Sequence, residues 1–380
     1  MKAGWQTKTL NQISENLDSR RIPITKAVRS SGEYPYYGAS GIVDYVADFI
    51  FDCDALLVSE DGANLLARST PIAFSVSGKY WVNNHAHILR FDNPETQRFV
   101  ELYLESIPLD DYITGAAQPK LNQKALNSIP IPLPPLAEQR RIVGILDEAF
   151  EGLATAKANA EQNLQNARAL FESHLQAVFT QRGDGWLETK MDDVTDLITC
   201  GVAKRPEYVA AGIPFLSAKN VKNGQVIWSG HQYVSEEAHR ALTKNNKPKI
   251  GDILYTRVGS YGEAAIIDRD VEFSIFVSLT LIKPKPIVLN SFLKHYLNSS
   301  AVKELAAGSI TGVGVGNLNV GTVREFPIHL PHLSQQRSIV AKLDDLREET
   351  QRLESLYQRK LAALDELKKS LLHRAFSGQL

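Results

Sequence analysis

The feature that most constrains the fold of this chain is an internal repeat. Identical or similar residues recur 197 positions apart, with no insertion or deletion, from residue 113 to residue 179. The matched segments are 113–115 with 310–312, 121–122 with 318–319, 129–136 with 326–333, 139–147 with 336–344, and Phe179 with Phe376. A register held over that length indicates two copies of one structural unit.

The two copies also begin alike. Gly4-Trp5 is followed by Leu10 and Ile13, and Gly185-Trp186 is followed at the same spacings by Met191 and Val194. These openings lie 181 positions apart rather than 197, so the intervening segment is 16 residues longer in the second copy. Each copy therefore consists of an opening, a variable domain, a proline-rich turn and a long helical segment.

The variable domains are predicted to be mixed α/β or β-rich. Residues 54–58 and 252–256 are short apolar runs typical of buried strands, and residues 86–90 and 277–282 predict two more strands. Glycine and asparagine residues between these runs indicate turns.

A long helix is predicted after each proline-rich turn. Residues 137–180 and 334–376 contain no proline, and in the second segment the seam residues alternate at spacings of four and three. That alternation is typical of a coiled coil, and helices of about 44 residues would be about 65 Å long. The predicted first seam is Ile142, Leu146, Ala149, Leu153, Ala156, Ala160, Asn163, Ala167, Leu170 and His174, and the second runs from Ile339 to Leu371 through Thr350, Lys360 and Leu367.

The first seam is rich in alanine and the second in leucine, which favours pairing of the two helices with each other rather than with copies of themselves. We therefore predict an α+β (mixed α/β) fold with a pseudo-two-fold repeat. Two globular domains would be separated by two long helices that form an intramolecular antiparallel coiled coil. The predicted divisions are 1–135, 136–180, 181–332 and 333–380. A dimerisation coil or a membrane-surface stalk is the alternative for the helices.

Composition adds a few limits. The 380 residues carry a formal net charge of −1, with 12 basic and 15 acidic side chains in residues 1–135 and 17 and 15 in residues 181–335. This balance does not favour sequence-blind binding to nucleic acid, which needs a basic surface. No apolar run is long enough to span a bilayer and no signal-peptide core follows Met1. With only Cys53 and Cys200, a reducing cytoplasm is expected.

The motifs of several enzyme classes are missing. The sequence has no Walker A pattern and no G-x-S-x-G nucleophile elbow, and Pro134-Pro135 lacks the flanking residues of an adenine methyltransferase loop. The glycine-rich run 312–316 lacks the lysine of a phosphate-binding loop. Asn84-His85-Ala86-His87 lacks partners at metal-ligand spacing, so a histidine of the core or of a groove is expected there. The chain is predicted to be neither an enzyme nor a metal-binding protein.

The paired motifs resemble those of a known family. Residues 133–143 (LPPLAEQRRIV) and 330–340 (LPHLSQQRSIV) each lead into a long helix, as in the specificity subunits of type I restriction-modification systems. Segments 82–88, 115–122 and 371–378 are also similar to that family. The second copy departs from the first at 315–317, where Val-Gly-Asn stands in place of Gln-Pro-Lys.

This resemblance implies a DNA reader with no catalysis of its own. Each variable domain would read one half of a bipartite site in double-stranded DNA. The coiled coil would set the half-site spacing and dock two modification subunits, which are adenine-N6 methyltransferases, and motor-nuclease restriction subunits would join the complex. S-adenosylmethionine, magnesium and ATP would then belong to the partner subunits, and neither a cofactor of this chain nor a membrane partner is expected.

Readout of a base sequence needs basic, amide, hydroxyl and aromatic side chains on loops that reach base edges. In the first domain the candidate DNA-contacting residues are Lys26, Arg29, Tyr36, Asn64, Arg68, Lys79, Gln118, Lys120 and Asn122. In the second domain they are Lys204, Arg205, Lys219, Asn220, Lys222, Arg257, Ser260, Tyr261 and Asn317. Arg20-Arg21 is interpreted as a phosphate contact or plain surface.

Two other classes of function compete with this interpretation. The chain could be a coiled-coil scaffold that presents two ligand-binding domains without recognising DNA. A stand-alone nuclease or methyltransferase is disfavoured by the missing motifs. A DNA footprint in the presence of a modification subunit separates a DNA reader from a scaffold.

Overall fold

The computed structural model describes residues 4–115, 117–181, 183, 185–310 and 316–380, with only the main chain at Ser260. Contacts divide the chain into two units, one formed by Met1–Glu161 with Arg359–Leu380 and the other by Gln162–Gln358. Each unit therefore includes part of both long helices. Within the described ranges, no helix is both long enough and apolar enough to cross a bilayer.

The first unit contains a four-stranded antiparallel sheet of order β2-β9-β6-β7 and a mixed sheet of order β4-β3-β8-β5. Its strands are β1 (Gln6–Thr9), β2 (Glu15–Asn16), β3 (Ser31–Gly38), β4 (Gly41–Val46), β5 (Phe51–Asp52), β6 (Ala55–Ser59), β7 (Ala73–Val76), β8 (Lys79–Val82), β9 (Ala86–Arg90), β10 (Ile113–Thr114), β11 (Lys120–Leu121) and β12 (Pro130–Leu133). Its helices are α1 (Asn64–Ala67), α2 (Pro94–Ser106), α3 (Gln123–Ser128) and the beginning of α4 (Leu136–Thr180).

The second unit repeats this plan, with a four-stranded antiparallel sheet of order β14-β22-β19-β20. Its strands are β13 (Leu187–Lys190), β14 (Thr195–Cys200), β15 (Ile213–Leu216), β16 (Val221–Lys222), β17 (Gln225–Val226), β18 (Gln232–Val234), β19 (Ile253–Val258), β20 (Ser260–Ile266), β21 (Ser274–Ile275), β22 (Leu279–Pro284) and β23 (Pro327–Leu330). Its helices are α5 (Glu236–Leu242), α6 (Asn290–Asn298), α7 (Ser300–Gly308), α8 (Val320–Arg324) and the beginning of α9 (Leu333–Phe376). The predicted buried strands correspond to β6, β9, β19 and β22, which confirms a mixed fold.

The opening of each copy pairs with its proline-rich segment. Strands β1 and β12 are antiparallel with Gln6 opposite Leu133, and β13 and β23 are antiparallel with Leu187 opposite Leu330. Prolines fit here because each ribbon has only two strands, so a missing N–H can face away from the partner. The beginning and end of each variable segment therefore lie side by side.

Each repeated motif contains a buried glutamine that donates a hydrogen bond to the proline turn before it. Gln139 donates from Nε2 to the carbonyl of Pro134 at 2.8 Å, and Gln336 makes the equivalent bond to Pro331 at 2.9 Å. Gln336 also donates to the carbonyl of Ile287 at 3.0 Å. Both glutamine side chains are buried, so they join the proline turn to the first turn of the long helix.

The aspartate of the same motif attaches each long helix to the helix packed against it. In the first unit Arg98 of α2 donates to Asp147 of α4 at 2.6 Å, and in the second His295 of α6 contacts Asp344 of α9 at 2.8 Å. Arg98 and His295 are 197 positions apart, as are the two aspartates. The motif is therefore a docking element in both units.

The long helices run antiparallel within each unit. In the first unit Lys157 of α4 pairs with Asp365 of α9 at 3.0 Å, and in the second Arg168 of α4 pairs with Glu354 of α9 at 3.1 Å. The intramolecular antiparallel coiled coil is therefore confirmed.

The predicted seam is wrong toward the end of each helix. Leu170 is 52% exposed and His174 is also exposed, whereas Phe171 and Leu175 are buried. In α9 the predicted seam residues Lys360 and Leu367 are exposed, and Leu372 and Ala375 are buried. An α-helix has 3.6 residues per turn rather than 3.5, so a strict seven-residue repeat drifts off the contact line in a long helix.

Candidate nucleic-acid interface

The structure separates the candidate DNA-contacting residues into exposed side chains and side chains that are buried or half-buried. Those that are exposed in the first unit are Lys26, Lys79, Gln118 and Lys120. Those that are exposed in the second unit are Lys204, Arg205, Lys219, Lys222, Tyr261 and Asn317. The side chain of Ser260 and most of the glycine-rich run, 312–315, lie outside the described residues.

Tyr36 and Arg29 were expected on a surface loop, but they hold that loop in place. Tyr36 is buried on β3, and its hydroxyl donates to the carbonyl of Ile24 at 3.3 Å. The Arg29 guanidinium lies 4.3 Å from the centre of the Tyr36 ring and donates to Asp44 at 3.1 Å. This hydrogen bond is the main reason that the pKa of Asp44 lies below its usual value. Contact of either residue with DNA stays a prediction.

Arg68 and Asn64 also have structural partners. Arg68 follows α1 in a left-handed conformation and donates to the carbonyls of Leu104 and Ile107 at 3.2 and 2.9 Å. It thus satisfies carbonyl groups at the C-terminal end of α2 that have no partner within the helix. Asn64 bonds both to the carbonyl and to the N–H of Thr70 and so closes the turn after α1.

Asn122 and Asn220 close local turns. Asn122 caps α3, with its side chain accepting from the N–H of Ala125 at 2.9 Å. Asn220 is buried, and its amide donates to the carbonyls of Ile227 and Ser229 at 3.0 and 3.1 Å. The sequence did not reveal these roles, because asparagine is common both in turns and in DNA-reading loops.

The loop that carries Gln118 and Lys120 lies at the end of the four-stranded sheet in the first unit. Lys120 forms a main-chain bridge with Asp61, and its ammonium group lies 3.0 Å from a carboxylate oxygen of Glu60. His85, which is half exposed, contacts the Asp61 carboxylate at 2.9 Å. The structure therefore brings Lys120 together with Asp61 and His85, which the sequence analysis did not select as DNA-contacting residues.

A buried polar cluster supports this loop. His87 Nδ1 lies 2.5 Å from Asp18, and Nε2 lies 2.7 Å from the carbonyl of Leu121. Arg21, interpreted from the sequence as a phosphate contact or plain surface, donates to Glu60 at 2.6 Å and is mostly buried. No sequence signal links these residues, because 39 positions separate Arg21 from Glu60 and 69 separate Asp18 from His87.

Asp18, Glu60 and His87 are close enough to be considered as metal ligands. However, the Glu60 carboxylate already pairs with Arg21 and Lys120, and these two positive charges oppose a metal ion, so the residues present do not fit one. Burial raises the pKa of Asp18, but the hydrogen bond and charge of His87 outweigh it and hold that pKa below its usual value. Burial likewise raises the pKa of Glu60, and hydrogen bonds from Arg21 and Lys120 bring it below its usual value. The cluster is an ion-pair network.

In the second unit a cleft of about 630 Å³ collects three of the candidate residues. Arg205 and Lys219 are exposed at this cleft, and Asn220 lies in its wall. The other lining residues include the ring-bearing side chains Tyr208, Phe215, His231 and Phe276. Cations can bind phosphate groups, so the exposed Arg205 and Lys219 give this cleft the chemistry of a DNA-backbone contact, and the Phe276 ring lies under Arg205. The sequence does not single out these rings, because they are scattered over about 70 positions.

Arg257 was expected to reach DNA, but the structure buries it. Its Nε donates to the carbonyl of Leu318 at 2.8 Å, and Nη1 donates to that of Val277 at 3.0 Å. A guanidinium group can be buried when its N–H groups find acceptors, as they do here. Arg257 therefore lies beneath the loop that carries Asn317, and its contact with bases stays a prediction.

Comparison with known proteins identifies the family. The family model for the type I restriction modification DNA specificity domain matches residues 2–165 and again residues 183–360. The chain therefore belongs to the family of type I restriction-modification DNA specificity proteins. The two matches correspond to the two copies of the internal repeat.

Individual relatives agree with this assignment. A Haemophilus influenzae protein that carries the name of a type I restriction enzyme specificity subunit is 28% identical over 349 residues, which cover 89% of this chain and 86% of the relative. The crystal structure of the HsdS subunit from Thermoanaerobacter tengcongensis covers 100% of this chain and 98% of its own, with 18% identity and a TM-score of 0.62. A chain from structural work on complex assembly and conformational transition of the type I restriction-modification system covers 100% and 99%, with 19% identity and a TM-score of 0.77. The two structures share the fold of this chain.

Proposed function

We propose that each unit reads one half of a bipartite site in double-stranded DNA. The observation that carries this proposal is the repeat itself: two units of one topology each place a loop, 118–122 or the segment of Asn317, at the end of an equivalent sheet. The functional divisions are those expected from the sequence, 1–135 and 181–332 for the readers and 136–180 and 333–380 for the helices. A scaffold without DNA recognition is not favoured, because the DNA specificity model matches both copies.

The proposal assigns catalysis to partner subunits. The paired helices set the spacing between the half-sites and dock two modification subunits, and restriction subunits join through that complex. S-adenosylmethionine, magnesium and ATP are then required by the partners. Support for this division comes from the missing catalytic motifs and from the family assignment.

The purified chain alone is expected to show no methylation of DNA, whereas adding its modification subunit should produce adenine methylation that depends on S-adenosylmethionine. Transfer of a labelled methyl group to a plasmid that contains the site measures both states. The modification subunit alone is the matched control. Robust methylation or cleavage by the chain alone would show that it has its own active site.

Removing the two cations of the cleft should weaken DNA binding. The double variant Arg205→Ala/Lys219→Ala is expected to lose about tenfold to a hundredfold in affinity, and the salt dependence of binding should fall by about two phosphate contacts. Titration of a labelled duplex at several salt concentrations, with the modification subunit present, measures both quantities. The control is Arg240→Ala/Lys190→Ala, which removes two exposed cations of the same unit outside the cleft. Equal losses in both variants would mean that the cleft is not the binding surface.

A further inference from the structure

The two units hold the same main-chain carbonyl with different side chains. Leu121 and Leu318 are equivalent in the repeat, and each comes directly before the asparagine that caps α3 or α8. In the first unit the Leu121 carbonyl accepts from the His87 ring at 2.7 Å, and in the second the Leu318 carbonyl accepts from Arg257 at 2.8 Å. All four of these residues are buried.

The main chain around these leucines is attached in one way in both units. The N–H of Leu121 donates to the carbonyl of Glu60 at 2.8 Å, and the N–H of Leu318 donates to that of Arg257 at 2.9 Å. Lys120, which precedes Leu121, forms a main-chain β-bridge with Asp61. In the same way Asn317, which precedes Leu318, forms one with Val258. Glu60 and Arg257 therefore occupy equivalent positions, at the ends of β6 and β19.

Strand pairing extends this correspondence to the rest of the cluster. Ser59 and Thr256 directly precede Glu60 and Arg257, so they are equivalent as well. Ser59 is opposite Ala86 in the first sheet, and Thr256 is opposite Leu279 in the second. The next residues along those strands, His87 and Thr280, therefore occupy the same place. Cys200 is opposite Thr280 on the neighbouring strand, and Asp18, just after β2, contacts His87, so Cys200 takes the place of Asp18. The buried polar residues are Asp18, Glu60 and His87 in the first unit and Arg257 and Thr280 in the second, where Cys200 is half-buried.

We propose that His87 and Arg257 are equivalent positioning residues that determine how accurately each unit reads its half-site. Each donates to the carbonyl at the base of a DNA-reading loop, and neither needs to touch DNA. The inference rests on the proposed function, since it requires that these loops read bases. It also explains why the second loop can depart from the first at 315–317: its support comes from one arginine rather than from an ion-pair network that includes Lys120.

The two supports use different chemistry. Both ring nitrogens of His87 face acceptors, so the ring joins the Leu121 carbonyl to Asp18, at 2.7 and 2.5 Å. Arg257 instead joins the carbonyl of Leu318 to that of Val277, at 2.8 and 3.0 Å. Each side chain thus attaches its loop to another segment of its own unit, so its loss should affect only the half-site that this unit reads.

The test compares discrimination at each half-site, using the full chain assembled with its modification subunits. Discrimination is the affinity for the cognate duplex divided by that for a duplex with one base pair changed in one half-site. His87→Gln should lower discrimination at the first half-site about tenfold and leave discrimination at the second half-site unchanged.

Arg257 supplies an independent arm if the His87 variant does not fold. Arg257→Met should lower discrimination at the second half-site about tenfold, and Arg257→Lys, which keeps the charge but has a single donor nitrogen, should restore part of it. His295→Gln is the matched control, because His295 is also buried and bonded to a carboxylate but contacts Asp344 instead of a loop. It should change discrimination at neither half-site.

The possible results distinguish a failure of the proposed function from a failure of the positioning role. A wild-type complex without sequence-selective binding would overturn the proposed function and this inference with it. Selective binding in which His87→Gln and Arg257→Met leave discrimination unchanged, or lower it equally at both half-sites, would overturn the positioning role alone.

Discussion

Exchanging residues 1–135 for the first variable domain of another family member is expected to change one half of the recognised DNA sequence and leave the other half unchanged. The physical reason is that the two copies are separate units, each with its own sheets and its own loop at the end of a sheet. Sequencing of methylated adenines in cells that carry the hybrid and a modification subunit gives both half-sites at once. A change in both halves would contradict the assignment of one reader to each unit.

The structure also shows what such an exchange must preserve. The core of the first unit includes Ile142 and Leu146 of α4 together with Leu372 and Ala375 of α9, and the exchange leaves all four in place. The matched control is therefore a hybrid that exchanges 1–161 and 359–380 together, so that the donor core is intact. If only this second hybrid folds, packing against the helices accounts for the failure of the first.

Replacing Gln336 with alanine is expected to lower the free energy of unfolding of the second unit by about 3 kcal/mol. The variant leaves the N–H of Leu289 and the carbonyls of Ile287 and Pro331 without their buried partner. A buried polar group without a partner costs about 1–3 kcal/mol, and partial relaxation keeps the sum below the additive value. Gln335→Ala, which changes the exposed neighbour in the same helical turn, should cost less than about 0.5 kcal/mol.

Tryptophan fluorescence during urea unfolding can measure this effect in the second unit alone. Trp186 and Trp228 lie in the second unit and Trp5 and Trp81 in the first, so a Trp5→Phe/Trp81→Phe background makes the emission specific for the second. A midpoint for Gln336→Ala equal to that for Gln335→Ala would mean that the glutamine does not stabilise the turn.

Features with a period or a register were predictable from the sequence. The repeat predicted the two units, and the proline-free segments predicted α4 and α9, which span 45 and 44 residues. The seam failed from Leu170 onward because its phase depends on which face meets the other helix, and an extrapolated seven-residue spacing does not include that drift.

The candidate site was only partly predictable, for a different reason. Arg257 lies in β19 and Arg205 lies between β14 and β15; Arg257 is buried and bonded to two carbonyls, whereas Arg205 is exposed at a cleft. Their local sequences do not distinguish these environments, because the partners of Arg257 are 20 and 61 positions away. Buried clusters that join distant segments, such as Asp18 with His87, have no local signal at all.

The division of the first unit between residues 1–161 and 359–380 has a consequence for synthesis on the ribosome. Nascent chains grow at about 5–20 residues per second, and domains near the N-terminus usually fold first. Here the ribosome completes all residues of the second unit, 162–358, before it reaches the last residues of the first unit, 359–380. Ile142 and Leu146 must wait on the order of ten to forty seconds for Leu372 and Ala375 to emerge. During that interval the first unit exposes an unfinished apolar face, so we expect its folding in the cell to be the step that depends most on chaperones.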